Sequence, residues 1–527
     1  METLSSWLRL LVPSAGDVIF IALLAVLVFT PLSVRLLGDA GIGWHIRTGQ
    51  LILQTGKIPR VDPFSSTMQG KPWFAWEWLY DEAVGAANSS AGLDGVVVFN
   101  AAVIAFVFSL LFNLLRRRGT ELCLALLLTI LAAAASMVHF LARPHVTTWL
   151  FVVLWLRWLD DSEVDGAGQS EKRTRRLRWL LPVSMALWVN LHGGFITALV
   201  LLIAFLAGQW VEWRRSLRLS SFAALNAGTR LHTLTFAGIV SALATLLNPY
   251  GWHLHAHIYR YLTSRWLMNH VQEFQSPNFH DPAAKCFAAL LALTLVAFGV
   301  RSQSLRLTDY LLVLFATASG LYSARNLPVA AILLAVVGGP LLSGVAEQSL
   351  GTCRRGFASR WHRFSQRMGV IDAGLRGNVW PGLVLTIVIA AAAKGASGGK
   401  SLINADFDPH RFPEAAMQKL KAASDNEPVF VPDFWGGYVI YQLYPARLVV
   451  VDDRHDLYGQ EFFKCYLKTY RLEAGWEGFL DRYGVNLVVA PRDGALAQGL
   501  GLHPGWQAVE TDEVAVTFRR RLKALAY

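Results

Sequence analysis

Apolar positions along this chain come in long runs rather than in alternation, and short polar stretches separate the runs. Eleven runs stand out, at about 17–36, 95–114, 120–141, 145–159, 178–191, 195–212, 233–248, 283–300, 308–323, 327–345 and 379–394. Most approach or reach the roughly 17–25 residues that a helix needs to cross a bilayer. The fourth and fifth are the shortest. The pattern predicts a mainly α protein, a polytopic transmembrane bundle of about eleven spans. The first and second runs are separated by a long segment, 37–94, that is rich in acids and aromatic rings. Inside it "WHIRTGQLILQTG" (44–56) sets apolar residues at helical spacing before a glycine stop, which predicts a short helix lying along the membrane surface.

The pattern changes after about residue 400. "EPVFVPDFWGGYVIYQLYPARLVVVDDRHDLYG" reads as strand, glycine turn, short helix and strand. "VNLVVAP" is a continuous apolar run suited to a buried strand, and "WQAVETDEVAVTFRR" predicts a terminal hairpin. The expected organisation is a membrane domain over 1–399 and a small soluble α/β domain over 400–527. No G-x-G-x-x-G follows a strand and no G-x-x-x-x-G-K-[ST] is present, so nothing suggests a nucleotide site.

Composition agrees with a membrane protein. Of 527 residues, 54% are hydrophobic and only 16% charged, where a soluble domain carries about a quarter. Mean hydropathy is +0.38. The formal charge of +11 raises the question of nucleic acid, and its distribution answers it. With the N-terminus inside, Arg116–Arg118, Lys172–Arg178, Arg214–Arg218, Arg301, Arg306 and Arg354–Arg367 all fall in cytoplasmic loops. That is the positive-inside bias, spread over loops rather than gathered on a binding face. The first run is too long for a signal-peptide core and reads as a retained anchor. Cys123, Cys286, Cys353 and Cys465 show no C-x-x-C spacing, so neither a disulfide framework nor a zinc site is indicated.

The opposite side receives the chemistry. It holds the first loop, "ARPH" (142–145), "NLHGG" (190–194), the segment 248–281, "YSARN" (322–326) and the tail. Trp and Tyr there fit an interfacial belt. The belt does not account for Arg143, His145, Asn190, His192, Arg325 and Asn326, and ionisable groups at membrane helix ends usually line a functional cavity. Asp39 lies just past the first span. Glu77 lies between Trp76 and Trp78, where partial desolvation raises a carboxyl toward the range of a general base. Trp44, Trp73, Trp76 and Trp78 match platforms for sugar rings. Arg143 and Arg325 suit phosphate. A plain Asp39–Arg pair that merely neutralises a helix end is the bland counterpart. His253, His255 and His257 alternate at period two and would spread around a helix, which argues against a zinc triad. Serine-hydrolase chemistry has no G-x-S-x-G to support it.

These features resemble the GT-C superfamily of membrane glycosyltransferases. The stretches "DAGIGWHIRTG", "IPRVDPFS", "PWFAWEWL", "RPH", "NLHGG", "NPYGW" and "ARN" are also similar to uncharacterised bacterial membrane proteins grouped with these transferases. The resemblance implies an enzyme that moves a sugar from a polyprenyl-phosphate carrier to a glycan, lipid or protein acceptor on the outer face, with inversion. It implies catalytic roles for Asp39 and Glu77, and substrate-binding roles for Trp44, His45, Trp76, Arg143, His145, Asn190, His192 and Arg325. It places the chain in the inner membrane of a bacterium, N-terminus cytoplasmic and tail periplasmic. It admits a divalent cation, Mg²⁺ or Mn²⁺, as cofactor, although no D-x-D follows the first span and no ligand set is named. It also implies that the segment after "NPYGW" gates the groove. Rival classes are a transporter or flippase, which would show related halves or broken helices near the midplane, and a non-catalytic envelope-assembly subunit.

Overall fold

In the computed structural model, the structure describes residues 11–161, 169–218, 221–350, 356–375, 377, 379–396 and 402–521. The expected boundary near 400 lies outside the described residues, as do Cys353, Arg354 and Arg355. Each of the eleven apolar runs is helical, the first divided between Ala15–Phe29 and Leu32–Leu36. By length and composition, five described helices are able to cross a membrane: Trp78–Arg117, Leu122–His139, Gly193–Ser216, Pro282–Val300 and Ala324–Ser349. Ala15–Phe29, Leu307–Tyr322 and Val379–Gly395 are shorter apolar helices.

The hub is the 40-residue helix Trp78–Arg117. Its backbone breaks at Ala91 and at Gly92, where φ is +61°, a conformation glycine adopts without steric cost. The break separates an outer arm from the arm that continues into the bundle. Ala15–Phe29, Ile42–Thr55, His145–Asp161 and Val379–Ala396 all pack against this helix. Ala15–Phe29 starts with a capping box in which the Ser14 side chain accepts from Asp17 N–H and Asp17 accepts from Ser14 N–H.

The two ends of the hub differ in chemistry. At the far end Arg118 pairs with Asp160 at 3.0 Å and reaches Asp309 at 3.7 Å. Near it Arg116 donates to Gly369 O and His362 meets Glu121. At the near end lie Glu77, the first loop and the tail. The segment after "NPYGW" forms helices Trp252–Thr263 and Arg265–His270 over that end.

The tail carries a four-stranded sheet in the order β1-β2-β4-β3. Strand β1 (Val429–Phe430) runs parallel to β2 (Leu487–Pro491). Strands β3 (Trp506–Thr511) and β4 (Ala515–Arg520) form the expected hairpin, and β4 pairs antiparallel with β2. Val449 bridges Val429 on one side and Ser65 of the first loop on the other. Ser66 N–H and Thr67 Oγ1 then donate to the carbonyls of Val449 and Val450. The first loop is thus stitched to the tail by backbone.

One expectation is corrected. Gly436 and Gly437 do not make a turn; they sit within the helix Asp433–Leu443. A Cβ at Gly437 would strike the carbonyl of Ala40, and one at Gly436 would strike Asp452. The glycines are there to let helix, first loop and tail touch backbone to backbone. The helix and glycine stop expected over 44–56 are present: the helix is Ile42–Thr55, closed by Gly56 in the left-handed region at φ +66°.

Candidate active site

The site is assembled from the near end of the hub, the Ile42–Thr55 helix and the segment after Val451. Glycines on Ile42–Thr55 fix its position on two sides. Gly43 lies against the Gly437 carbonyl and Gly49 against the Asp81 carbonyl, with Gly85 facing Gly49 in return. This clamping points Trp44 and His45 at the hub. His45 is fully buried, its Nδ1 2.5 Å from Asp81 Oδ1, and its Nε2 has no hydrogen-bond partner and lies 3.9 Å from Glu77 Oε2.

Glu77 caps the start of the hub helix. Its other oxygen lies 3.6 Å from His192 Nε2. His192 Nδ1 accepts from Gly194 N–H at 3.1 Å and lies 2.8 Å from Thr148 Oγ1, which itself accepts from Trp188 Nε1–H. Nδ1 is therefore the acceptor of a neutral ring and Nε2–H faces Glu77. Glu77 sits between two imidazoles without a guanidinium clamp. Burial pushes its carboxyl up to about 7, against the pull of Arg325 and Arg143.

Asp39 is held differently. Its Oδ1 accepts from Gly41 N–H at 2.8 Å and from Arg143 Nη2 at 2.5 Å. The same Nη2 donates to Asp453 Oδ2 at 2.6 Å, and Asp453 Oδ1 accepts from Trp44 Nε1 at 2.9 Å. Burial raises Asp453; Arg143 opposes the rise and the facing Asp39 adds to it, leaving it at about 6.

Beneath this, Arg454 is buried between three groups. It forms a two-pronged contact with Asp452, at 2.8 and 2.6 Å, and reaches Asp62 at 2.8 Å. Its guanidinium lies over the Trp73 ring, 4.7 Å from the centroid. Asp62 in turn is bonded by Ser65. On the opposite wall Arg325 faces Glu273 at 3.5 Å and lies over Phe274. His257 pairs with Asp456 at 3.0 Å and stacks on Phe74.

Together these groups form an open cleft lined by Trp44, Trp73, Phe74, Trp76, Glu77, Asp81, Arg143, Tyr261, Arg325 and Asp453–Asp456. A second cavity of about 880 Å³ adjoins it through Trp73, Phe74, Tyr261 and Asp456. An apolar crevice of about 1700 Å³ between Ala15–Phe29, the hub and Val379–Ala396 contains none of the candidate residues.

Of the sequence candidates, Asp39, His45, His145, Asn190 and His192 are not among the residues lining the cleft. His145 Nε2–H donates to the His139 carbonyl, 2.8 Å away, and the ring packs on Trp149. Asn190 accepts from Trp78 Nε1 at 2.6 Å and donates to the carbonyls of Ala186 and Leu247. Both tie helices together. His45 and His192 lie behind Glu77 rather than on the wall. His253, His255 and His257 do spread around their helix: His255 contacts Thr245 while His257 meets Asp456.

The sequence reading missed Asp453, Arg454, His455 and Asp456. The signal was present, since five ionisable residues in a row, Asp452–Asp456, follow the apolar Val449–Val451.

A divalent cation does not fit the groups present. The two carboxylates that approach a common point meet Arg143 there. Among the described residues no group of three or more His, Cys, Asp or Glu could hold a metal.

No family model matches the chain, and no curated protein matches it by sequence. Solved structures do. The archaeal oligosaccharyltransferase AglB from Archaeoglobus fulgidus, in complex with an inhibitory peptide and a dolichol-phosphate, is similar at a TM-score of 0.56. It is 13% identical, over 90% of this chain and 69% of that one. The apo form of the Archaeoglobus fulgidus enzyme gives 0.54 with the same identity and coverage. The form tethered to an acceptor peptide containing the NVT sequon gives 0.56, at 13% identity, over 90% and 68%. The fold is similar to that of the archaeal oligosaccharyltransferase. It is mainly helical, with several apolar helices and a small C-terminal sheet, and it is a membrane-protein fold.

Proposed function

We propose that the chain transfers a sugar from a polyprenyl-phosphate carrier to an acceptor hydroxyl, at the outer face of a bacterial inner membrane and with inversion at the sugar. The observation that carries this reading is Glu77: a carboxyl near neutrality, unclamped, on the wall of an aromatic and arginine-lined cavity. Such a group is suited to take a proton at physiological pH. The solved structures supply the fold, and two of them hold a dolichol-phosphate or an acceptor peptide; a lipid-linked donor and a separate acceptor are carried to this chain as part of the proposal.

In this mechanism the Glu77 carboxylate takes the acceptor's hydroxyl proton as the acceptor oxygen bonds to the sugar's anomeric carbon. The bond from that carbon to the phosphate oxygen breaks, and polyprenyl phosphate leaves with the electron pair. Arg325 and Arg143 lie where they offset the charge on the departing phosphate. Trp44 and Trp76 offer ring faces to the sugar. Asp39 positions Arg143 rather than acting as base, since its inner oxygen already accepts two hydrogen bonds. His145 and Asn190 serve packing. The tail, from about 400 onward, acts as a periplasmic domain that completes the cavity.

The test uses membranes containing the full chain, supplied with a panel of radiolabelled polyprenyl-phosphate hexoses and pentoses. Glu77→Gln should abolish label transfer while the protein still folds. Undiminished labelled product from Glu77→Gln and Asp39→Asn together would remove the enzymatic reading, and solute movement without a covalent product would favour a transporter.

A further inference from the structure

We infer that Arg143 is a built-in cation: its guanidinium fills the point on which Asp39 and Asp453 converge, so the site is complete with divalent ions stripped away. A single nitrogen, Nη2, lies 2.5 Å from Asp39 Oδ1 and 2.6 Å from Asp453 Oδ2. Two carboxylate oxygens on one centre is how a protein grips a hard cation, at about 2.0–2.6 Å for Mg²⁺ and Ca²⁺. Here the gripped centre is part of the chain.

Each carboxylate also accepts a bond from elsewhere in the chain. Asp39 Oδ1 accepts a second bond, from Gly41 N–H, and Asp453 Oδ1 accepts from the Trp44 indole. One side is closed as well. A Cβ on Gly41 would stand 2.5 Å from Arg143 Nη2 and 2.6 Å from Asp453 Oδ2. The backbone is drawn in against the guanidinium on that side, and the guanidinium itself occupies the point between the two carboxylates where an ion would sit.

The arrangement has a chemical consequence. A guanidinium stays charged at every physiological pH, so the cation's presence does not depend on metal supply. It carries one charge instead of two, and it joins the span-end loop at 142–145 to the first loop and to the tail. The three groups are brought together from positions far apart in the sequence, so the cation is assembled only when all three parts dock.

The experiment measures Mn²⁺ binding to the purified full chain in detergent after EDTA treatment, by the electron paramagnetic resonance of free Mn²⁺, and the shift of its melting temperature. The native chain should bind no stoichiometric Mn²⁺ and show no saturable shift. Arg143→Ala should gain a site for one Mn²⁺, and adding Asp39→Asn should remove it. Stoichiometric Mn²⁺ on the native chain, lost in Asp39→Asn, would overturn the inference. So would a folded Arg143→Ala protein that binds none. If Arg143→Ala does not fold, the native chain and Arg143→Lys decide, the lysine form being expected to stay metal-free. Both readouts are independent of transfer, so they stand or fall apart from the proposed enzymatic reaction. Where transfer is observed, EDTA should leave it within about twofold, and a loss of tenfold or more restored by Mn²⁺ would contradict the built-in cation.

Discussion

Glu77 and Asp39 are two carboxylates of one loop that the fold treats in opposite ways. Asp39 is spent on a guanidinium and a backbone N–H, whereas Glu77 faces imidazole nitrogens at 3.6 and 3.9 Å and accepts a hydrogen bond from the Trp76 side chain. A buried carboxyl without a cation partner holds its proton more tightly in the folded chain than in the unfolded one. The sign follows for stability. Its contribution is fully present below the unfolded value near 4.5 and is lost as pH rises through the folded value of about 7. Glu77→Gln, which removes the charge but keeps the shape, should therefore melt higher than the native chain at pH 8, by on the order of 1–3 kcal/mol, and equal it at pH 4. Melting curves at the two pH values check this. A base of this kind contributes about 10²–10⁴-fold to rate, so the same variant should be more stable and nearly inactive.

Arg454 presents the reverse case. It is buried against Asp62 and Asp452, and replacing it by Met leaves two carboxylates in the interior without their counter-charge. Loss of one partner of a buried pair costs about 3–5 kcal/mol, read as a large fall in melting temperature. If melting were unchanged, the joint between first loop and tail would not depend on this buried ion pair.

At the scale of elements, the contact between Ile42–Thr55 and Asp433–Leu443 rests on glycine. Gly437→Ala places a methyl onto the Ala40 carbonyl, and such overpacking costs about 1–3 kcal/mol. The displaced helix would carry Trp44 off Asp453, so transfer should fall further than stability. Comparing melting temperature with label transfer in this variant separates the two effects. The helices themselves were legible in the sequence because apolar run length is a local property: every run from 17–36 to 379–394 is helical, although the first is broken between Phe29 and Leu32. The Gly56 stop was legible for the same reason. Gly437 was misread because its cause, Ala40, lies some 400 residues away, and Gly436 because its cause is the packing of Asp452 from the next segment; a local pattern shows only that glycine is present. Asp453–Asp456 were passed over on the same ground. The residues sit in the tail, and nothing near them in sequence says that the tail closes over Glu77. Asp39, Glu77, Arg143 and Arg325 were singled out because polar groups beside apolar runs stand out without any knowledge of pairing, while His145 and Asn190, equally conspicuous, are occupied with carbonyls and an indole.

At the scale of the molecule, polar chemistry is divided between two ends. One has the cavity and the tail; the other has Arg118 with Asp160 and Asp309. The distribution of Lys and Arg predicts that the second end faces the cytoplasm. A chain with its native cysteines replaced by serine, carrying Leu502→Cys or Arg367→Cys at exposed positions, tests this with a membrane-impermeant maleimide. On intact spheroplasts Leu502→Cys should label and Arg367→Cys should label only after permeabilisation. The opposite pattern would place the cavity in the cytosol and end the case for a periplasmic acceptor.

The central claim is that Glu77 removes the acceptor proton, and the pH profile of sugar transfer tests it most directly. Initial rates under saturating donor should climb about tenfold per pH unit on the acid side, level off above an apparent pKa of about 7, and lose that limb along with nearly all activity in Glu77→Gln. A Glu77→Gln chain that transfers at the native rate with the same limb would contradict the account.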